Sequence, residues 1–474
     1  MSSTPGPSVE EAEPITDSSD NPRSWTRPAL GYVVLALAAY VPVLRSDPGK
    51  VAADTKQYLY LDPTRLLARA AYMWDPHIGM GTVTHQNIGY VFPMGPYFWV
   101  LDKLGVPDWV AQRLWLGSIL FFAALGALYL LRTFGIRGPG VVIAAIAYMF
   151  TPYTLDYSAR ISAILLPFAA LPWLIGLTRK ALRDGGWRYP AIFALVVQVI
   201  GGVNATALIF TGVGSVLWIL YAWLIEHEVD WRRALGTAIR IGALTLATSL
   251  WWIAGLEMQG TYGLDVLKYT ETVKAVATSS FPNEILRGLG YWFFYGGDRV
   301  GPWIESASLY TQRPAVLFAG YGLVVLSLLA AGVLRWRHRF FFVAMLVVGV
   351  IIAVGPSPYA SPTPLGGIFK AFANSSSAGL LQHARRVAPR VEILRGLRPV
   401  RRNVLGPLEV LAVEAAVEDR GQVGHDEQHH HADHRRAYQG AAAAAQRVEA
   451  HVEPQSEHDR EREHDERNRA RGAS

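Results

Sequence analysis

Apolar residues run along this chain in long blocks separated by short polar segments, from residue 28 to about residue 370. A helix of about 20 apolar residues crosses a bilayer core. The blocks predict spans at 28–44, 109–131, 139–153, 161–178, 190–203, 205–224, 234–255, 314–334 and 340–354. The pattern therefore reads as an all-α polytopic membrane protein with about nine transmembrane helices. Some blocks are short or hold Gly and Pro, as in Ile200-Gly201-Gly202-Val203-Asn204. The fifth and sixth are expected to form a tight hairpin, or to include a partly re-entrant segment.

Charge orients the spans. Arg23 and Arg27 precede the first, Arg132 and Arg137 follow the second, and Arg179, Lys180, Arg183 and Arg188 follow the fourth. Arg232, Arg233 and Arg240 follow the sixth, and Arg335, Arg337 and Arg339 separate the last two. These are alternate loops, and Lys and Arg in short loops mark the cytoplasmic side. The expected topology has a cytoplasmic N-terminus in the plasma membrane and long outer loops at about 46–107 and 256–313. Span 1 also admits a signal-peptide reading, with Val51-Ala52-Ala53 as the small residues; the later spans hold the protein in the membrane either way. Aromatic residues crowd the outer loops, among them Tyr58, Tyr60, Trp74, Tyr90, Trp99, Trp109, Trp251, Trp252, Tyr262, Trp292, Tyr295 and Trp303. Interfacial anchoring accounts for many of them.

Composition sharpens three boundaries. Residues 1–27 are polar, 28–379 form the apolar multispan domain, and 380–474 change character. Residues 381–474 hold 16 Arg and no Lys, nine His, one Tyr, and neither Phe nor Trp. Such a segment is expected to be a disordered low-complexity tail, because it lacks the apolar surface to fold. His429, His430, His431 and His434 could suggest metal binding, but the bias resembles a GC-rich gene read out of frame, with a frameshift near residue 380. There is no cysteine, so disulfides and cysteine–zinc sites are excluded, and a net charge of +6 on 474 residues does not point to nucleic acid.

The first outer loop carries the acids Asp47, Asp54 and Asp62. A carboxylate at the membrane surface can take the proton of a sugar hydroxyl as it attacks the anomeric carbon of a lipid-linked sugar. Lys or Arg can then meet the departing phosphate. Lys56, Arg160, Lys268, Lys274, Arg287 and Arg299 are candidates for that role. Asp47 also reads as a turn residue before Pro48, and Asp54 as a helix N-cap. His85, Asn87, Trp74 and Trp292 are candidates for a sugar-binding wall; His77 and His85 lack the further spacing of a zinc site. No metal or cofactor is expected. No Walker loop and no Gly-x-Ser-x-Gly elbow occurs. Charged residues are nearly absent from the span centres, which favours surface chemistry over ion-coupled transport.

The stretch Ala53-Asp54-Thr55-Lys56-Gln57-Tyr58-Leu59-Tyr60-Leu61-Asp62-Pro63 resembles the first outer loop of actinobacterial alpha-(1→3)-arabinofuranosyltransferases. So do His85-Gln86-Asn87-Ile88-Gly89-Tyr90, Phe92-Pro93-Met94-Gly95-Pro96, Tyr291-Trp292-Phe293-Phe294-Tyr295-Gly296-Gly297-Asp298 and Gly355-Pro356-Ser357-Pro358. The resemblance implies a GT-C-like helical bundle with two membrane-parallel helices in its large first outer loop. It implies an inverting transfer from decaprenylphosphoryl arabinofuranose to arabinan of arabinogalactan or lipoarabinomannan, at the outer membrane face. It carries over Asp54 as first choice for the base and Asp47 as second. Relatives are longer, so the chain also reads as a truncated and inactive fragment. A lipid-linked sugar flippase and a non-catalytic membrane scaffold are the alternatives from other classes.

Overall fold

The computed structural model describes residues 23–54, 58–70, 72–76, 81–83, 87–158, 160–263 and 272–373; the side chains of 23–28, Tyr58, Asn87, Phe372 and Ala373 are outside that description. The tail expected to be disordered, and most of the polar N-terminus, lie outside the described residues.

The fold is helical. Each apolar block forms a helix: α1 (Arg23–Arg45), α6 (Asp108–Thr133), α7 (Pro139–Met149), α9 (Leu165–Asp184), α10 (Arg188–Ile200), α11 (Ala205–Leu224), α12 (Trp231–Tyr262), α16 (Pro314–Val333) and α17 (Arg339–Val354). Among the described residues five segments are long and apolar enough to cross a membrane, namely 108–133, 162–184, 205–224, 231–262 and 314–333; the apolar stretches Ala29–Arg45, Pro139–Met149, Arg188–Ile200 and Arg339–Val354 are shorter. The third block departs most from expectation. It stops at Met149, and Pro152 opens a separate short helix, α8 (Pro152–Ser158), because a proline cannot donate the backbone bond that would continue the preceding turn. A tight hairpin is expected of the fifth and sixth blocks; a short connection at 201–204 joins them, but α10 and α11 each pack on α9 rather than on each other. The Asn204 side chain caps α11 by accepting from the Ala207 N–H at 2.9 Å. Asp230 caps α12 in the same way through the Arg233 N–H at 3.1 Å.

The centre of the bundle is α6 against α9, with α1 and α7 on one side and α10 and α11 on the other. Small residues let the backbones approach: Ala123, Ala124, Ala169 and Ala170 are fully buried or nearly so. Two glycines at this interface are required by close approach. A Cβ on Gly126 would lie 2.6 Å from the Trp173 ring, and one on Gly176 would lie 2.7 Å from Tyr129. Trp173 fills the space it gains by stacking on Phe122 and Tyr129, each at 5.1 Å between centroids. By contrast α16 buries none of its residues.

Polar segments gather at the helix ends. The first long loop holds α2 (Tyr58–Leu61), α3 (Pro63–Ala70), α4 (Asn87–Tyr90) and α5 (Met94–Lys103). It also holds a two-stranded antiparallel ribbon of β1 (Trp74–Asp75) and β2 (Thr82–Val83), in register Trp74 with Val83. Helices α3 and α5 pack on each other, and Phe98 of α5 is buried against Trp115 of α6. The second long loop holds α13 (Val273–Ala277), α14 (Pro282–Leu286), a 3-10 turn at 292–295 and α15 (Glu305–Gln312); α18 (Pro364–Ala373) follows α17.

Candidate active site

Asp54 is the buried acid of the first loop, at 5% exposure. The segment leading to it is clamped by α6. Gln112 accepts from the Ala52 N–H at 2.8 Å and donates to the Ala52 carbonyl at 3.0 Å, while Arg113 donates to the Lys50 carbonyl at 3.3 Å. The Tyr60 hydroxyl donates to the carbonyls of Ala52 and Asp54 at 3.1 and 3.3 Å. With its backbone pinned, Asp54 turns its carboxylate to Ser162, which opens a 3-10 turn (162–164) leading into α9. Oδ1 accepts from the Ser162 N–H at 2.8 Å, and Oδ2 accepts from the Ser162 hydroxyl. Trp115 Nε1 donates to that hydroxyl oxygen at 3.2 Å, which fixes the direction in which Ser162 donates. The first N–H groups of a helix have no partner within it. Asp54 fills one of them from a segment 108 residues away. Asp54 thus caps this turn from a distant part of the chain, and the same bonds orient the carboxylate; the residues after Asp54 that its expected local cap involves lie outside the described residues.

Asp47 is placed differently. It sits in an exposed turn with φ 41° and pairs with Lys50 at 3.7 Å, the turn role expected before Pro48. Lys56, His77, His85 and Lys268 lie outside the described residues, as does the side chain of Asn87. Trp74 is 56% exposed on β1.

The short segment between α7 and α9 draws the two long loops together. Ser162 holds Asp54 of the first loop. Arg160 Nε donates to the Trp303 carbonyl of the second at 3.0 Å. Asp156, fully buried on α8, accepts from the Ser306 hydroxyl at 3.0 Å. Burial pushes the Asp156 carboxyl up to about 6, against the opposing effect of Ser306, and its other oxygen has no hydrogen-bond partner among the described residues. The sequence singles out Arg160 in this segment as a phosphate candidate but not Asp156 or Ser162. The available signal was polar Asp156, Arg160 and Ser162 between two apolar blocks, and Gln112-Arg113 at the head of another.

In the second loop an aromatic cavity of about 460 Å³ is lined by Trp292, Trp303, Tyr295, Phe281 and Glu284 among others. Trp292 and Trp303 meet edge to face at 5.7 Å, and Trp292 Nε1 has no partner among the described residues. Gly296 is required here, since a Cβ would lie 2.2 Å from the Trp303 ring. Glu284 accepts from the Tyr295 hydroxyl at 2.9 Å, and burial together with that carboxylate pushes the Tyr295 phenol above its usual range. The candidate cations separate by environment. Arg287 is buried, pairs with Glu284 at 3.0 Å, donates to the Tyr310 carbonyl and stacks on Tyr321, so it is committed inside the loop. Lys274 is exposed on α13 and Arg299 is exposed beside Asp298. Arg160 joins Asp54's partner Ser162 to the wall of the cavity.

Among the described residues one group could hold a metal: Glu226, Glu228 and His338, with ligand atoms within 4.8 Å of one another. Arg337 donates to both carboxylates, at 2.9 and 2.8 Å, so a guanidinium already supplies the positive charge there.

The profile of the N-terminal GT-C domain of alpha-(1->3)-arabinofuranosyltransferases matches residues 38–384. The chain belongs to this family. The alpha-(1->3)-arabinofuranosyltransferase of Mycobacterium tuberculosis is 33% identical over 73% of this chain and 25% of its own length. That of Mycolicibacterium smegmatis is 31% identical over 67% of this chain and 22% of its own. The chain thus spans about a quarter of the curated relatives it matches. A cryo-EM structure of a mycobacterial arabinofuranosyltransferase is 24% identical, covers 72% of this chain and 28% of that one, and superposes with a TM-score of 0.48.

Proposed function

We propose that the chain carries the reacting centre of a membrane arabinofuranosyltransferase with Asp54 as general base. The observation that carries this reading is a buried carboxylate in the first long loop, held from both oxygens by Ser162. In the proposed step an arabinan hydroxyl oxygen attacks the anomeric carbon of decaprenylphosphoryl arabinofuranose. The bond from that carbon to the phosphate oxygen breaks, the phosphate leaves with the electron pair, and the hydroxyl proton passes to Asp54. A single displacement inverts the anomeric centre, giving the alpha-(1→3) linkage from a beta-linked donor.

Other residues are assigned supporting roles in this step. Arg160 spends Nε on Trp303 and keeps two terminal NH2 groups for the departing phosphate; Lys56 and Arg299 are further candidates. Trp292 and Trp303 offer ring faces to the apolar faces of acceptor sugars, with Trp74, His85 and Asn87 on the first loop as the other candidate contacts. The nine apolar helices are read as nine spans with the arginine-bearing ends in the cytoplasm, which puts Asp54 at the outer face. The test is arabinose transfer from the lipid donor to a synthetic arabinan in membranes carrying Asp54→Asn or Asp47→Asn. Loss with the first and retention with the second is expected. Full transfer with Asp54→Asn removes the base assignment.

A further inference from the structure

A second cavity, of about 640 Å³, lies where the C-terminal ends of α6 and α9 meet the turn before α17. These are the ends of α6 and α9 opposite to those that hold Asp54. The cavity is lined by Arg132, Arg137, Arg179, Lys180, Arg183 and Arg337, with His338, Tyr129 and Phe134, and no carboxylate is among the described residues lining it. Basic residues at the ends of spans are ordinary when they are spread through loops. Here six permanent cations from three segments wall one concavity, and like charges so placed repel.

The protein holds several of them in place without neutralising them. Arg179 donates to the Thr133 carbonyl and packs over Phe134 at 4.8 Å and Trp218 at 5.6 Å, leaving Nε without a hydrogen-bond partner among the described residues. Arg132 donates to the Tyr32 hydroxyl at 2.6 Å. Arg337 is paired with Glu226 and Glu228, and Lys180 with Asp184 at 3.9 Å. Arg132, Arg137, Arg179 and Arg183 have no carboxylate partner among the described residues. Fixed guanidinium groups around an open space suit the tetrahedral oxygens of a phosphate, which they bind in a fork. The cavity also has an apolar side, formed by Tyr129 and Phe134, at the end of helices that are apolar along their length.

The geometry points to a binding site for a phosphate group, carried by an anionic phospholipid headgroup or by soluble phosphate. Basic pockets between membrane helices recognise such headgroups. This site is independent of the role of Asp54.

The test uses the full purified chain and the exposed pair Arg137 and Arg183. The Arg183 carbonyl, which accepts from Arg233, is kept in any side-chain variant. In nanodiscs of equal phosphatidylglycerol and phosphatidylcholine, native mass spectrometry should show wild type retaining phosphatidylglycerol selectively. The double variant R137A/R183A should lose that selectivity by roughly 10- to 30-fold, while R137K/R183K keeps most of it. In lipid-free detergent, millimolar inorganic phosphate should raise the Tm of wild type but not of R137A/R183A if the source is soluble. Selective lipid retention without that rise assigns the site to a headgroup; the rise without lipid selectivity assigns it to soluble phosphate. The proposal is overturned if wild type shows neither response, or if R137A/R183A, with unchanged elution and circular dichroism, matches wild type in both.

Discussion

Helices α6 and α9 run through the whole bundle, and their two ends do opposite things with charge. At one end two carboxylates are buried, Asp54 accepting from the Ser162 N–H and hydroxyl and Asp156 from the Ser306 hydroxyl. At the other, six cations surround an open cavity. A buried carboxylate is costly unless hydrogen bonds replace its water, so the first end specifies the geometry of these side chains. Arg132, Arg179 and Arg183 lie in the last turns of α6 and α9, where the helix dipole favours cations, and Arg179 is held by the Thr133 carbonyl and by the faces of Phe134 and Trp218. The contrast separates a site built for orientation from one built for attraction.

The largest effect that could break the comparison is expected from Asp54→Ala. It removes both the base and the acceptor of the Ser162 N–H. Transfer should fall by roughly 10²- to 10⁴-fold, and Tm should drop because an N–H is left buried without a partner. Ser162→Ala removes one of the two bonds and keeps the backbone donor. Transfer is expected to fall roughly 10- to 100-fold, with the fold retained by circular dichroism. A change under twofold would show that Asp54 does not depend on the hydroxyl for its orientation. Trp303→Ala keeps the carbonyl that Arg160 uses but removes half of the aromatic wall. A several-fold rise in acceptor KM with little change in kcat is expected; the reverse split would place the ring nearer the reacting atoms.

The two ends should also answer pH in opposite directions. Asp156 has a carboxyl raised by burial from 3.8 to about 6, so the folded state binds the extra proton. Its contribution to stability is fully present below about pH 3.8 and is lost as pH rises through about 6. His338 is shifted down by burial, so its contribution is lost as pH falls below the ordinary histidine range. The Tm of wild type relative to Asp156→Asn, followed from pH 4 to 8, isolates the first and should fall as pH rises to about 6 and then level off. The smallest effect is expected for Glu226→Gln. It weakens an ion pair with the exposed Arg337 and should lower Tm slightly, in a salt-sensitive way.

The helices were legible because burial in a bilayer writes a continuous apolar run into the sequence. The break at Phe150-Thr151-Pro152 was also visible, as a proline inside a block, although the block was extended across it. The choice of Asp54 rested on the strings around it, and the structure adds a reason: it is the acid with a built environment, while Asp47 turns out to solvent. The partners were not legible. Gln112 and Ser162 are brought to the Asp54 segment across 60 and 108 residues, and Trp115 reaches Ser162 across 47, and no local pattern encodes such pairings. Nor does sequence tell a committed cation from an available one. Arg287 and Arg160 look alike until Glu284 and Tyr321 are seen to enclose the first.

The most direct test of the central claim measures transfer and folding on the same preparation of Asp54→Asn. An asparagine oxygen still accepts the Ser162 N–H but cannot take a proton as a carboxylate does. A Tm close to wild type with transfer reduced by roughly 10²-fold or more is expected. Wild-type transfer at an unchanged Tm would show that Asp54 only caps the helix and that another group is the base.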